Sequence, residues 1–248
     1  MPHFFVKSTD KSGNQITISD RENYQHIAKS LRARVGEKLL LIDENQTQYE
    51  TFICSIDNKS IIVDIDKEYK SERWLKFKLY LAQSPLRSDA QNFIVEKATE
   101  LGVSGIYPIF TDNCALKKSI IQNKIEKWQK TMFEASKQCE RANIPTCFEM
   151  TTLDKLIQDK KFDKIVAFTE RQADMNLREF FDASPVQEEE SLLVIIGPEG
   201  GFSKEEFDFL TQNNIPKLTL GDLILKAETA VTVALGNIVY EFENYRKN

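Results

Sequence analysis

From residue 3 to residue 65 the apolar side chains come in short runs, many at alternate positions, broken by clusters of turn formers. Residues 3–7, 15–18, 38–42, 48–56 and 60–65 are rich in Ile, Val, Phe, Tyr and Thr, which suit a pleated, half-buried surface. Lys11-Ser12-Gly13-Asn14 and Asp57-Asn58-Lys59 read as turns between them. Strands this closely spaced predict a small β-barrel. One helix interrupts the series over residues 19–33, where Tyr24, Ile27 and Leu31 fall on one face. Residues 68–73 are polar and charged and read as a linker.

After Trp74 the rhythm changes. Leu75, Phe77, Leu79 and Leu81 alternate as in a strand. Ser88 with Gln91 then opens a helix whose core stripe is Ile94, Ala98 and Leu101, and Gly102 stops it. A strand over 105–110 precedes a long helix over 119–141, an extended piece near Cys147 and a helix over 153–158. Strands over 164–169, 192–196 and 217–220 follow, interleaved with a short helix, a helix capped by Ser203 and Glu206, and a final helix over 227–245. Such alternation predicts an α/β fold, a mostly parallel sheet covered on both faces. The expected domains are a barrel over 1–70 and an α/β domain over 74–248.

Composition narrows the classes. With 41% hydrophobic and 29% charged residues in 248, the chain is neither disordered nor fibrous. Its longest aliphatic run, Leu192-Leu193-Val194-Ile195-Ile196, is far too short for a bilayer. Met1 to Lys7 lacks the pattern of a secretory signal, so a soluble, cytoplasmic protein is expected. Cys54, Cys114, Cys139 and Cys147 include no C-x-x-C pair, and His3 and His26 are the only histidines. No metal site is therefore expected, and a Ser-His-Asp hydrolase is poorly supplied. The net charge of −5 disfavours nucleic acid only globally. Residues 21–38 hold Arg21, Lys29, Arg32, Arg34 and Lys38 against Glu22 and Glu37, a local basic excess.

In a parallel sheet, ligands sit beyond the carboxyl ends of the strands. Three loops leave such ends: the one starting at Thr169, Gly197-Pro198-Glu199-Gly200-Gly201, and the one from Gly221 to Lys226. The glycines of the second allow positive φ and close approach to a ligand. It has neither the dinucleotide spacing nor the Lys-Ser/Thr pair of a phosphate loop. Glu199 would repel a phosphate but not a cationic sulfonium, so S-adenosylmethionine suits this loop better than a polyphosphate. The third loop is apolar and could wrap an adenine with backbone amides. Each loop taken alone also reads as an ordinary tight or buried connection.

Taken together, the motifs resemble a known family. Glu96-Lys97-Ala98-Thr99-Glu100-Leu101-Gly102-Val103, Ile196-Gly197-Pro198-Glu199-Gly200-Gly201-Phe202-Ser203 and Leu220-Gly221-x-x-Ile224-Leu225-Lys226-Ala227-Glu228-Thr229-Ala230 are similar to the ribosomal small-subunit RNA methyltransferase E family. Arg87, Trp128, Gln138-Cys139-Glu140-Arg141 and Gln25 to Arg32 fit the same pattern, in order along essentially the whole chain. The resemblance implies a SPOUT-type methyltransferase domain with a C-terminal trefoil knot, preceded by a PUA-like barrel for RNA. It implies methylation of uridine N3 in small-subunit ribosomal RNA with S-adenosylmethionine, by a homodimer, with no membrane partner.

Carried onto this chain, the cofactor would meet Phe168, Thr169, Glu170, Ile196, Gly197, Glu199, Gly200, Gly201, Leu220, Gly221, Ile224, Leu225, Thr229 and Ala230. Lys226 or Arg141 would stabilise the anion left when N3 loses its proton, with Glu228 orienting the cation or the base. Arg21, Lys29, Arg32, Arg34, Arg87 and Lys97 are the expected RNA contacts. Where family members commonly carry Arg-Thr-Glu-Thr, this chain has Lys226-Ala227-Glu228-Thr229, and Ala90 replaces a frequent lysine. Lysine keeps the charge and loses the planar fork. Two other readings are a SPOUT enzyme aimed at another RNA atom and a non-catalytic ribosome-assembly RNA-binding protein.

Overall fold

The computed structural model describes residues 3–71, 74–159, 162–169 and 172–247. It comprises two compact units: Met1–Trp74 with Ser136–Asn143, and Leu75–Ala135 with Ile144–Asn248.

The first unit is built on strands β1 (His3–Phe5), β2 (Lys11–Ser12), β3 (Gln15–Ile18), β4 (Lys38–Ile42), β5 (Thr47–Ile56) and β6 (Ile61–Lys70). They form one sheet in the order β1-β4-β5-β6-β3-β2. All pairs are antiparallel except β1 with β4. Alternation along β3 and β6 turns Ile16, Ile18, Ile61, Val63 and Ile65 into one core with Phe4, Leu39, Leu41, Tyr49 and Ile53. The charged stretch read as a linker is strand as far as Lys70, because Thr47 to Glu50 pair with Lys67 to Lys70. The expected helix over 19–33 is also shorter. Helix α1 (Arg21–Tyr24), capped by Asp20, passes into a wider-wound turn over Gln25–Ser30. There the Leu31 N–H reaches five residues back to His26. This wider winding carries Leu31 off the face of Tyr24 and Ile27, so Ile27 is buried while Leu31 is 43% exposed.

The second unit holds β7 (Lys78–Gln83), β8 (Gly105–Phe110), β9 (Thr146–Cys147), β10 (Thr151–Thr152), β11 (Lys164–Phe168), β12 (Met175–Asn176), β13 (Ser191–Ile196) and β14 (Lys217–Thr219). The sheet order is β10-β8-β7-β13-β11-β14-β12, with β9 also on β8. Every pairing is parallel. Alternate residues feed two cores. Leu79, Leu81, Val166, Leu192 and Val194 pack with α2 (Ser88–Glu100), α4 (Ile125–Gln138) and α8 (Ala227–Lys247). Ala82, Ala167, Leu193 and Ile195 pack with α5 (Leu153–Asp159) and α7 (Lys204–Gln212). A sheet buried on both faces needs continuous apolar strands, and β13 is one.

Two expectations on helices change. The helix over 119–141 is two, α3 (Lys118–Gln122) and α4, broken at Asn123-Lys124. Ile121, Ile125, Trp128 and Met132 keep helical spacing across the break and are all buried, so the apolar pattern conceals it. The N-cap of α2 is Arg87 rather than Ser88, and Gln91 Oε1 accepts from the Leu86 N–H ahead of the helix. The short helix expected before β13 is α6 (Leu177–Ala183), capped by Asn176 and Glu179. Ser203 and Glu206 cap α7 as expected. Gly102 ends α2 at φ +91°.

Candidate functional site

Phe168, Ile196 and Leu218 lie level across adjacent strands, Phe168 paired with both others. The chain therefore leaves the sheet three times at the same height, and the loops after β11, β13 and β14 emerge side by side. Between them lies a cavity of about 760 Å3.

The three segments chosen from the sequence meet there. Phe168 and Thr169, then Ile196, Gly197, Glu199, Gly200 and Gly201, then Leu220, Gly221, Leu225 and Ala230 all line the cavity. Ile224 and Thr229 do not, although their neighbours Leu223 and Leu225 do. Glu170 lies outside the described residues. Lys226 and Glu228 flank the lining residues Leu225 and Ala227 without lining it themselves. Lys226 is exposed, and its carbonyl accepts the Ala230 N–H as α8 begins. Glu228 sits in the first turn of α8, where a carboxylate also suits the helix dipole.

Each glycine has its own reason. Of the three in the middle loop only Gly201 has positive φ, at +70°. A Cβ on Gly197 would lie 3.2 Å from the Phe202 ring, and one on Gly200 3.2 Å from Asn113 Cβ. Those two serve close approach rather than a left-handed turn. Gly221, at φ +117°, closes the third loop, its N–H donating to Thr219 Oγ1.

Sequence reasoning missed several walls. Phe202, Lys204, Phe207 and Asp208, from the start of α7, extend the cavity. The helix was expected, but nothing in its spacing says that its first turn faces the loops. The Lys217 ammonium pairs with Asp174 at 2.8 Å and lies 5.5 Å from the Phe207 ring centroid. The backbone of the loop is tied there too, with the Asp174 N–H donating to the Lys217 carbonyl. This hydrogen-bonded ammonium holds the Asp174 carboxyl below its usual range.

One feature of the wall is unsatisfied. Thr169 Oγ1 is buried and has no hydrogen-bond partner among the described residues. A buried hydroxyl without a partner costs about 1–3 kcal/mol. The polar rim of the cavity carries Glu199, and its floor is apolar.

The remaining candidates stand elsewhere. Arg141 belongs to the Ser136–Asn143 segment of the first unit. It is buried and donates from Nε and Nη2 to Asn143 Oδ1, and burial pulls its guanidinium down to about 10. Arg21, Lys29, Arg32 and Arg34 are exposed in the first unit, Arg32 at φ +51°. His26 is exposed there and packs edge-on against Phe4. In the second unit Arg87 is exposed, while the Lys97 ammonium is held by Glu96 and Glu100 at 2.7 and 2.9 Å.

The parallel sheet with a cavity at its strand ends matches a family model described as an RNA methyltransferase domain, over residues 73–239. The chain belongs to this family. A second model, an RNA methyltransferase PUA domain, matches residues 18–66. Over whole lengths the family member is similar to enzymes named ribosomal RNA small subunit methyltransferase E. The Bacillus subtilis enzyme is 27% identical, with 99% of each chain covered. That of Aquifex aeolicus is 28% identical over 97% of this chain and all of its own. Among solved structures, a Legionella pneumophila protein with bound S-adenosylmethionine is 27% identical, with a TM-score of 0.84 over 97% of both chains. The Neisseria gonorrhoeae small subunit methyltransferase E shares the fold at 21% identity, TM-score 0.83, over 98% of both chains. The fold is thus a parallel sheet of the RNA methyltransferase domain family with an N-terminal PUA-type domain. No helix among the described residues is long and apolar enough to cross a membrane.

Proposed function

We propose that this RNA methyltransferase transfers the methyl group of S-adenosylmethionine to N3 of one uridine in small-subunit ribosomal RNA. The observation that carries the reading is the cavity of three strand-end loops, lined in part by Thr169, whose hydroxyl has no partner among the described residues. The donor set fits: apolar loop residues Leu220 and Leu225 for an adenine, Thr169 Oγ1 for a polar edge, and Glu199 at the rim for a cationic group. A relative of similar length has been solved with this cofactor. When bound, the cofactor supplies an electrophilic methyl group on sulfur.

The rest falls to the chain. Methyl transfer needs in-line placement more than covalent help. The loops after β11, β13 and β14 hold the donor, and Leu223 and Leu225 exclude water beside it. Lys226 stabilises the negative charge that builds on the uracil oxygens as N3 gives up its proton. Glu228, in the first turn of α8, orients the Lys226 ammonium or the base. Arg141 remains the second candidate cation. Exposed Arg21, Lys29, Arg32 and Arg34 grip phosphates, and the target base leaves its stack to reach the methyl group. The barrel over 1–70 serves as the RNA-binding domain and 74–248 as the catalytic one, in a cytoplasmic homodimer acting on an assembled subunit. The trefoil knot belongs to the same reading: the segments expected to form it are those that line the cavity.

The test has two parts. Calorimetric titration with S-adenosylmethionine should show binding, and mass spectrometry should map the new methyl to N3 of a single uridine. Methylation at a ribose 2′-oxygen, or RNA binding with no donor affinity, would replace this reading by one of its rivals. Lys226→Ala should lower the methylation rate at least tenfold; an unchanged rate and donor affinity remove Lys226 from the mechanism.

A further inference from the structure

The loop after β8 is not among the segments that line the cavity, yet it is bonded to the one that matters most. Asn113 Nδ2 donates to the carbonyl oxygens of Gly200 at 3.3 Å and Gly201 at 3.1 Å. Beside it, the Asp112 N–H donates to Glu206 Oε1 at 3.0 Å, and Ser203 Oγ donates to Asp112 Oδ2 at 2.6 Å. Ser203 and Glu206 are the capping pair of α7. Two consecutive side chains, roughly ninety positions away in sequence, thus fasten both the glycine turn and the helix start behind it. The absence of a side chain at Gly200 is what permits this, since a Cβ there would crowd Asn113.

The chemical effect follows from peptide geometry. All peptide bonds here are trans, so a carbonyl turned toward Asn113 sends the N–H of the same peptide the opposite way. Holding the Gly201 carbonyl therefore fixes the direction of the Phe202 N–H. The anchored Gly200 carbonyl likewise fixes the Gly201 N–H, which closes the turn onto the Pro198 carbonyl at 2.9 Å. Glycines have the widest conformational freedom of any residue, and without an external tether this turn would sample many peptide orientations.

We infer that Asn113, with Asp112, is a positioning element for the methyl donor: it pre-sets the glycine turn of the cavity without touching the ligand. This rests on the reading of the cavity as the S-adenosylmethionine site. Asn113 is exposed, so its substitution should leave folding intact.

The test compares the full chain with Asn113→Ala and Asn113→Asp. Asp is nearly the same size and sets a carboxylate against two carbonyl oxygens, replacing donation by repulsion. The dissociation constant for S-adenosylmethionine, by calorimetry, should rise about threefold in Asn113→Ala and about tenfold or more in Asn113→Asp. KM for the donor should rise in step, while kcat at saturating donor, RNA affinity and Tm stay near those of the parent. Equal donor affinity in the parent and Asn113→Asp overturns the inference, as does a loss of affinity matched by a comparable fall in Tm or kcat. If the parent itself fails to bind S-adenosylmethionine, the reading of the cavity falls and the inference with it; a parent that binds while the variants keep its affinity sinks only the inference.

Discussion

Thr169 carries a hydroxyl that folding removes from water and leaves without a partner among the described residues. Replacing it by valine keeps the β-branched shape and removes the unpaired oxygen. Thr169→Val should therefore keep or slightly raise Tm in the donor-free protein. Its affinity for S-adenosylmethionine should fall about tenfold, or about 1.4 kcal/mol. Calorimetry beside a thermal melt separates the two effects; a lower Tm with unchanged affinity would falsify the assignment. At this scale the sequence was informative where a residue type has few uses. Gly201 and Gly221 have the positive φ that favours glycine. Gly197 and Gly200 are there because Phe202 and Asn113 come close, a reason no local pattern discloses.

Between elements, the Asp174–Lys217 pair ties the loop after β11 to the start of β14. Lys217 is buried and Asp174 is largely open to solvent, so its stabilisation is modest. Its pH dependence has a definite sign. The hydrogen bond from Lys217 lowers the Asp174 carboxyl from its ordinary 3.8. The stabilisation is therefore complete above that value and disappears as the pH falls below it. Asp174→Asn should lower Tm near pH 7, and its gap with the parent should narrow as the pH falls below 3.8. A gap that persists in acid would point to lost packing instead. Strand and helix identities were largely legible from period and caps. Their ends were not: pairing with β5 carries β6 through charged residues, and α3 and α4 share one unbroken apolar stripe.

For the molecule as a whole, two observations agree on RNA: the basic residues exposed in the first unit and the family to which residues 73–239 belong. If Arg32 and Arg34 each neutralise a phosphate, replacing both by alanine should flatten the log–log salt dependence of RNA binding by about 1.5. Filter binding between low and moderate salt measures this slope, and an unchanged slope would remove both residues from the interface. The position of the cavity was legible because strand ends in a parallel sheet are where ligands go. Its far wall was not, because the first turn of α7 forms it, and the loop after β8 fastens that turn from behind, through tertiary contacts between residues far apart in sequence.

The strand order also constrains how the molecule can be made. β14 pairs with both β11 and β12, each of which precedes it in the chain. During synthesis the last strand to emerge must enter a slot between two older ones, and the slot must stay open until it arrives. A ribosome stalled just before residue 217 would hold a chain with no third loop and no finished pocket. The pocket is thus complete only once the chain has been made as far as Ala230, in the first turn of α8.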